Sequence, residues 1–231
     1  MNTAGGIKSL SWAAETRTIL KKELRSELRR RWGSALLLLF GLVTVFVVSF
    51  SLGAGSLTPG TLSAFFWVTI FFASTAGLSR SFLKEEETKT ILALRLLASP
   101  VSVFWGKFLF NLLLLFFLEL ILVPLFFLWL NVSGVNVAGF LLMLLLGTLG
   151  LVAGTTLSAA MVAKAESKGV LFVILAFPIL APLLIFAMAG TKAAFAGFGW
   201  EEMANPLKAL VSYVAVVGAG SSILFDFIWE A

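Results

Sequence analysis

The chain carries no charged residue between Arg31 and Arg80, and this interval limits its fold more than any other feature. Segment 53–60, with the sequence Gly-Ala-Gly-Ser-Leu-Thr-Pro-Gly, interrupts the interval and is typical of a turn. On either side of it, a helix of about 20 apolar residues suits a hydrocarbon core of about 30 Å. The interval therefore predicts a helical hairpin with membrane spans near 34–52 and 61–79.

Composition extends this interpretation to the rest of the chain. Of its 231 residues, 60% are hydrophobic and 13% are charged, whereas soluble domains are about a quarter charged. The sequence thus predicts an all-α polytopic membrane protein with six transmembrane helices in one membrane domain over 34–231. The four further spans are expected near 108–130, 138–161, 169–190 and 208–228. The longest connection on the non-cytoplasmic side is expected over 191–207.

Basic residues are distributed unevenly around these spans. Eight of the seventeen lie in residues 1–33, five in 80–107 and two in 164–168, which leaves Lys192 and Lys208 on the other side. Lys and Arg near span ends are retained in the cytoplasm. Both termini and the segment 80–107 are therefore predicted to be cytoplasmic.

Residues 1–33 form a basic segment with a helical pattern. Leu20, Leu24, Leu28 and Trp32 are four residues apart, and seven basic residues occupy other faces. This pattern favours an amphipathic helix on the inner membrane surface. The alternative is a solvated basic arm.

The residue inventory excludes most enzymatic chemistry. The chain has no cysteine and no histidine, so it offers no thiol chemistry, no Cys/His metal site and no imidazole ligand for haem. It also contains no Gly-x-x-x-x-Gly-Lys-Ser/Thr loop for nucleotide phosphates. We expect no catalytic residues, no metal and no cofactor on this chain, and we expect any ATP to be bound by a partner.

The segment between spans two and three is the most charged internal stretch. Glu85, Glu86 and Glu87 stand near its start, and a leucine-rich run follows. Acids at the start and bases towards the end suit a helix dipole, and such a helix could fit a groove in a soluble partner. A solvated loop with incidental charges fits the pattern equally well.

Several residues within the spans are unusual for a membrane helix. Glu119 is a carboxyl deep in span three, so it is expected to face the bundle interior, protonated or hydrogen-bonded, in either a functional or a structural role. Gly150 and Gly154 predict a face for close helix packing. Pro178 and Pro182 predict a kink, which could act as a hinge or simply set a static shape.

Several segments together resemble the haem exporter B family, also called cytochrome c maturation protein B. The resemblance is carried by residues 147–154 and 168–186, by Phe82 with the acidic run, and by span three with Glu119 and Pro124. Further matching positions are Leu94, Leu96, Leu97, Pro100 and Lys107. The resemblance covers nearly the whole chain from residue 18 onward.

This resemblance implies an ABC-2-type permease fold in a homodimer or paired permease, located in a bacterial inner membrane. It implies an ATPase partner docked on a coupling segment over 80–107, and roles in haem delivery beside a haem-handling membrane subunit and a haem chaperone. The ATPase would turn over ATP to deliver haem or to release the loaded chaperone. The residues that it assigns to ATPase coupling are Phe82, Glu85, Glu86, Glu87, Leu92, Leu94 and Pro100.

Two other functions stay open at this stage. One is an ABC-2 permease for another substrate, such as a lipid or a polysaccharide. The other is a secondary transporter driven by protons through Glu119, with no ATPase.

Overall fold

The computed structural model describes residues 11–30, 32–52, 57–79, 98–163 and 168–230, and the single positions Phe82, Glu85, Ile91, Leu94 and Leu96. Within these residues the chain forms α-helices and no strand. The helices are α1 (Trp12–Arg30), α2 (Trp32–Leu52), α3 (Pro59–Leu78), α4 (Pro100–Trp129), α5 (Val137–Val162), α6 (Lys168–Phe195) and α7 (Trp200–Glu230). Helices α2 to α7 each contain a stretch long and apolar enough to cross a membrane. The predicted all-α fold with six spans is confirmed.

Two of the spans begin with the same local signal. Ser99 caps α4, where its hydroxyl accepts a hydrogen bond from the Ser102 N–H and Pro100 takes the first helical position. A capping hydroxyl followed by proline favours a helix start, because proline has no N–H to leave unsatisfied. Thr58 and Pro59 begin α3 in the same way.

The start of α4 corrects the expected boundary of span three. The helix begins at Pro100 and not near residue 108, so the last part of the predicted segment 80–107 belongs to a transmembrane helix. Lys107 is one of the basic residues of the predicted cytoplasmic segment 80–107, and the structure places it about two turns inside α4.

The predicted long connection over 191–207 is also corrected. Helix α6 continues to Phe195 and α7 begins at Trp200, with Glu201 and Glu202 in its first turn. Gly197 makes the turn with a φ of 72°, which favours glycine. Acidic residues in a first turn suit the positive end of the helix dipole, so the polar composition of this stretch starts a helix.

Helix α5 lies at the centre of the bundle and packs against α3, α4, α6 and α7. Gly150 and Gly154 lie at a close helix contact, where a Cβ atom would meet the side chains of Leu183 and Leu180 on α6. Gly147 faces the buried indole of Trp67 on α3 in the same way. The absence of side chains at these glycines lets the neighbouring helices approach closely.

Pro178 and Pro182 both lie inside α6, which continues through them. The Tyr213 hydroxyl of α7 donates a hydrogen bond of 2.6 Å to the Ile179 carbonyl, in the turn between the two prolines. This contact fixes α7 against the proline-containing turn. A hinge at this turn stays a prediction.

Candidate functional site at the start of α4

Helix α1 is docked on the first turns of α4. Ile19 of α1 packs where a Cβ atom on Gly106 would lie. The Glu15 carboxylate accepts hydrogen bonds from the Ser99 N–H at 3.2 Å and the Ser99 hydroxyl at 2.9 Å. Hydrogen bonds from Ser102 and Ser99 lower the pKa of Glu15. An acid of α1 thus supplements the N-terminal cap of a membrane span.

The face of α1 that packs against α4 differs from the predicted leucine stripe. Its buried residues are Thr16, Ile19 and Glu23. Leu20 and Leu24 are half-buried at the edge of this contact, and the Leu28 side chain is 71% exposed. The segment is therefore helical as predicted, whereas its position on the inner membrane surface stays a prediction. Leu20 and Leu24 lie at the edge of the docked face, and Leu28 lies on the exposed face.

Four charged side chains meet one turn further along α4. Lys107 Nζ lies 3.1 Å from Glu23 Oε1 and 2.9 Å from Glu85 Oε1. Lys22 Nζ lies 3.0 Å and 2.7 Å from the same two oxygens. We call Lys22, Glu23, Glu85 and Lys107 the ionic cluster. It contains two cations and two anions, so its formal charge is zero.

The cluster is closed off from solvent except at Lys22. Lys107, Glu85 and Glu23 are buried, whereas the side chain of Lys22 is 44% exposed. Burial disfavours the charged form of Glu85, but Lys107 and Lys22 outweigh it and lower the pKa of Glu85 to about 2. Burial likewise opposes the charge of Lys22, and the carboxylates of Glu23 and Glu85 nevertheless raise its pKa. The opposite charges of Lys22 and Glu85 therefore favour each other's charged forms.

Phe82 adds an aromatic contact to the same cluster. Lys107 Nζ lies 4.7 Å from the centroid of the Phe82 ring, which is a cation–π geometry. The Phe82 ring also packs against Phe225 of α7, with 5.6 Å between the centroids. The segment between α3 and α4 is thus attached to α1, α4 and α7 through Phe82 and Glu85.

This geometry places two of the residues expected at the ATPase contact inside the chain, and their role in coupling stays a prediction. Phe82 and Glu85 are only 2% and 3% exposed, because both side chains pack against other parts of the chain. Neither side chain therefore presents a surface to a partner. Leu94 and Pro100 are half-buried. Leu96 is 87% exposed beside them. Glu86, Glu87 and Leu92 lie outside the described residues, and their role stays a prediction.

Sequence reasoning missed Lys22, Glu23 and Lys107 as members of a site. One signal could have found Lys107: Ser99-Pro100 predicts a helix start, which places this lysine two turns inside an apolar helix. A charge at that position requires a partner. No local pattern identifies Glu23 or Glu85 as that partner, because they are distant in sequence.

A second group of polar contacts joins α4 to α5 within the membrane span. The Thr148 hydroxyl hydrogen-bonds Glu119 Oε1, and Asn111 Nδ2 donates a bond of 2.9 Å to the Thr156 hydroxyl. All four side chains are buried, as expected for Glu119. Each pair is eight positions from the other along both helices, so the two bonds form matched rungs between antiparallel helices.

These features define a multi-pass, all-α membrane protein whose N-terminal helix and first internal polar segment meet at a buried ionic cluster on the third span. Comparison with known families agrees with this class. The family model described as CcmB protein matches residues 14–224, and the chain belongs to that family. This confirms the resemblance found in the sequence.

A curated relative supports the same assignment. The chain is 26% identical over 181 residues to a protein named heme exporter protein B from Bradyrhizobium diazoefficiens. The matched region covers 78% of this chain and 82% of the relative. Similarity therefore extends over most of both chains.

Proposed function

We propose that this chain is the membrane permease subunit of an ABC-type complex that serves c-type cytochrome biogenesis. A partner subunit hydrolyses ATP, and the permease couples that hydrolysis to haem delivery or to release of a haem-loaded chaperone. Membership of the CcmB family and the name of the relative support the haem-related role. The chain contains no phosphate-binding loop, so the proposal assigns ATP to the partner.

One structural observation carries the coupling part of the proposal. The ionic cluster attaches both α1 and the segment before α4 to Lys107, which lies inside a membrane span. Buried ion pairs are costly to separate, because each charge would lose its compensation. A force on either element would therefore move α4 and not merely displace a loop.

Within this proposal, the partner contacts the exposed side of the segment 80–97. Phe82 and Glu85 hold the segment from inside, and Leu96 offers exposed apolar surface next to the start of α4. Glu86 and Glu87 directly follow Glu85 in the sequence and are proposed to contribute charge to the contact. The half-buried residues Leu94 and Pro100 are proposed to hold this contact region in place.

Co-purification of the ATPase from native membranes tests this function. We expect an ATPase to be retained by the wild-type chain and lost from Leu96→Glu and from the double variant Glu86→Lys with Glu87→Lys. Phe198→Glu is the matched control, because Phe198 is also exposed but lies in the turn between α6 and α7, away from the start of α4. An ATPase that stays bound to Leu96→Glu, with cytochrome maturation intact, would contradict the proposed contact.

Cysteine labelling tests the proposed topology separately. The chain has no cysteine, so single substitutions give an unambiguous signal. We expect Leu96→Cys to be labelled only from the cytoplasmic face and Phe198→Cys only from the opposite face. Labelling of Leu96→Cys from outside would reverse the assignment and remove the ATPase contact with it.

A further inference from the structure

Helix α1 carries two stripes of opposite character on opposite sides. One stripe, Glu15, Ile19, Glu23 and Glu27, faces the protein. The other stripe, Arg17, Lys21, Arg25 and Arg29, is exposed throughout. The two stripes are offset by two residues, which corresponds to about 200° around a helix. We call the second set the basic stripe.

All the acidic residues of α1 are used on the docked side. Glu15 binds Ser99, and Glu23 belongs to the ionic cluster. Glu27 accepts hydrogen bonds from the Ser34 N–H at 2.7 Å and the Ser34 hydroxyl at 2.9 Å. No residue of the basic stripe forms an ion pair with an acidic residue in the described parts of the chain. Four like charges along one side of α1 therefore have no acidic partner among the residues that the structure describes.

The position of the stripe is fixed relative to the membrane. Ser34 is the first residue of the apolar stretch of α2, and its contact with Glu27 holds the junction between α1 and that span. Arg29 precedes Ser34 by only five residues. The end of the basic stripe must therefore lie at the level of the lipid headgroups on the membrane face where α2 begins.

The leucines of α1 lie beside the basic stripe. Leu20 and Leu24 are half-buried, and Leu28 is exposed at the end of the helix nearest the span. An apolar edge next to a row of Lys and Arg is typical of helices that lie in the membrane interface. The charge pattern by itself fits an acidic protein as well, but the exposed leucine and the adjacent span favour lipid.

We propose that the basic stripe binds the headgroups of anionic phospholipids in the leaflet where α2 begins. A Lys or Arg near an anionic membrane surface strengthens binding about fivefold. The bound lipids would hold α1 against the membrane while Glu15, Ile19 and Glu23 hold it against α4. This inference does not depend on the proposed haem-related function.

Lipid retention by the purified full-length chain tests the proposal. The chain is purified in detergent micelles and incubated with equal amounts of phosphatidylglycerol and phosphatidylcholine. The lipids that stay bound to it are then counted by native mass spectrometry. We expect a preference for phosphatidylglycerol, and we expect added salt to weaken it because exposed charges are screened. The salt series needs no variant, so it tests the proposal even if a variant folds poorly.

Two variants then assign the effect to the stripe. Replacing Arg17, Lys21, Arg25 and Arg29 with Gln should reduce phosphatidylglycerol binding by on the order of tenfold or more. The charge-preserving control Arg17→Lys, Arg25→Lys and Arg29→Lys should retain it. Equal retention of the two lipids by the wild-type chain would overturn the proposal. So would a Gln variant that keeps its lipids but loses an ATPase partner, since the stripe would then face a protein.

Discussion

Lys107 Nζ lies 2.9 Å from Glu85 Oε1, so a membrane span and the polar segment that precedes it are joined by a buried ion pair. Glu23 of α1 binds the same ammonium group at 3.1 Å. Three parts of the chain that are separate in sequence therefore meet at one atom. This junction is the basis for the proposed coupling and for the first two predictions.

Lys107→Met should destabilise the protein strongly. The variant removes the ammonium group shared by Glu23 and Glu85 and leaves only the partly exposed Lys22 beside two buried carboxylates. Loss of one partner of a buried pair costs about 3 to 5 kcal/mol. We expect a clear fall in the melting temperature of the protein in detergent.

Two comparisons make this result specific to the cluster. Adding Glu85→Gln to Lys107→Met removes one of the uncompensated charges, so it should recover part of the lost stability. Lys208→Met is the control, because Lys208 is exposed on α7. If Lys107→Met and Lys208→Met have equal melting temperatures, the ion pairs contribute nothing to stability.

Acid should weaken the cluster within a defined pH range. The pKa of Glu85 is lowered from 4.5 to about 2 in the folded protein. A carboxyl with a lowered pKa stabilises the fold above its unfolded pKa, and that contribution is lost as pH falls through the folded value. We therefore expect the stabilisation by Glu85, measured through the melting temperature, to be constant down to about pH 4.5. Below that pH it should decline towards about pH 2.

Glu85→Gln provides the reference for this titration. The variant cannot titrate at residue 85, so its melting temperature should depend less on pH in the same range. Parallel profiles for the wild-type chain and the variant would show that another group causes the acid sensitivity.

Glu119→Gln should preserve both stability and function. The Thr148 hydroxyl lies within hydrogen-bond distance of Glu119 Oε1 and of the Leu144 carbonyl, yet it carries one hydrogen. If the Thr148 hydroxyl donates its hydrogen to the Leu144 carbonyl, its oxygen can accept a hydrogen bond from residue 119. Both a protonated carboxyl and a glutamine amide can donate that bond. Glu119→Leu loses the bond, at a cost of about 0.6 to 2 kcal/mol for a contact between membrane helices.

This pair of variants also separates two functions. A packing role for Glu119 predicts wild-type cytochrome maturation in Glu119→Gln. A proton-driven transporter that uses Glu119 predicts loss of transport in the same variant, because a glutamine amide does not titrate near neutral pH and so cannot carry the proton. A Glu119→Gln variant that folds stably but is inactive would therefore favour the proton-driven transporter.

Gly147→Ala should be destabilising although alanine favours helices. A Cβ at this position overlaps the Trp67 ring, and Trp67 is held by a hydrogen bond of 2.8 Å from its indole N–H to the Thr191 hydroxyl. Overpacking of this kind costs about 1 to 3 kcal/mol. The matched control is Gly218→Ala on α7, where the added Cβ meets nothing within 4 Å. We expect a lower melting temperature only for Gly147→Ala, and equal values would contradict the close contact.

The sequence by itself determined the number and order of the membrane spans. Charge-free stretches such as the one between Arg31 and Arg80 need only length and apolar composition to be recognised, and both are local properties. The burial of Glu119 was predicted for the same reason, since an acid inside a span cannot face lipid at low cost. The helix start at Ser99-Pro100 is an equally local signal, since a capping hydroxyl followed by proline favours a helix start.

Only the tertiary structure decided which residues share the ionic cluster. Lys22, Glu85 and Lys107 are more than 20 positions apart along the chain, and their distances depend on how α1 crosses α4. The sequence pattern left the segment with Glu85 either as a helix that contacts a partner or as a solvated loop, and the family resemblance assigned Glu85 to the ATPase contact. In the fold Glu85 faces inward, because the opposite charges of Lys107 and Glu85 offset part of the cost of burying each other.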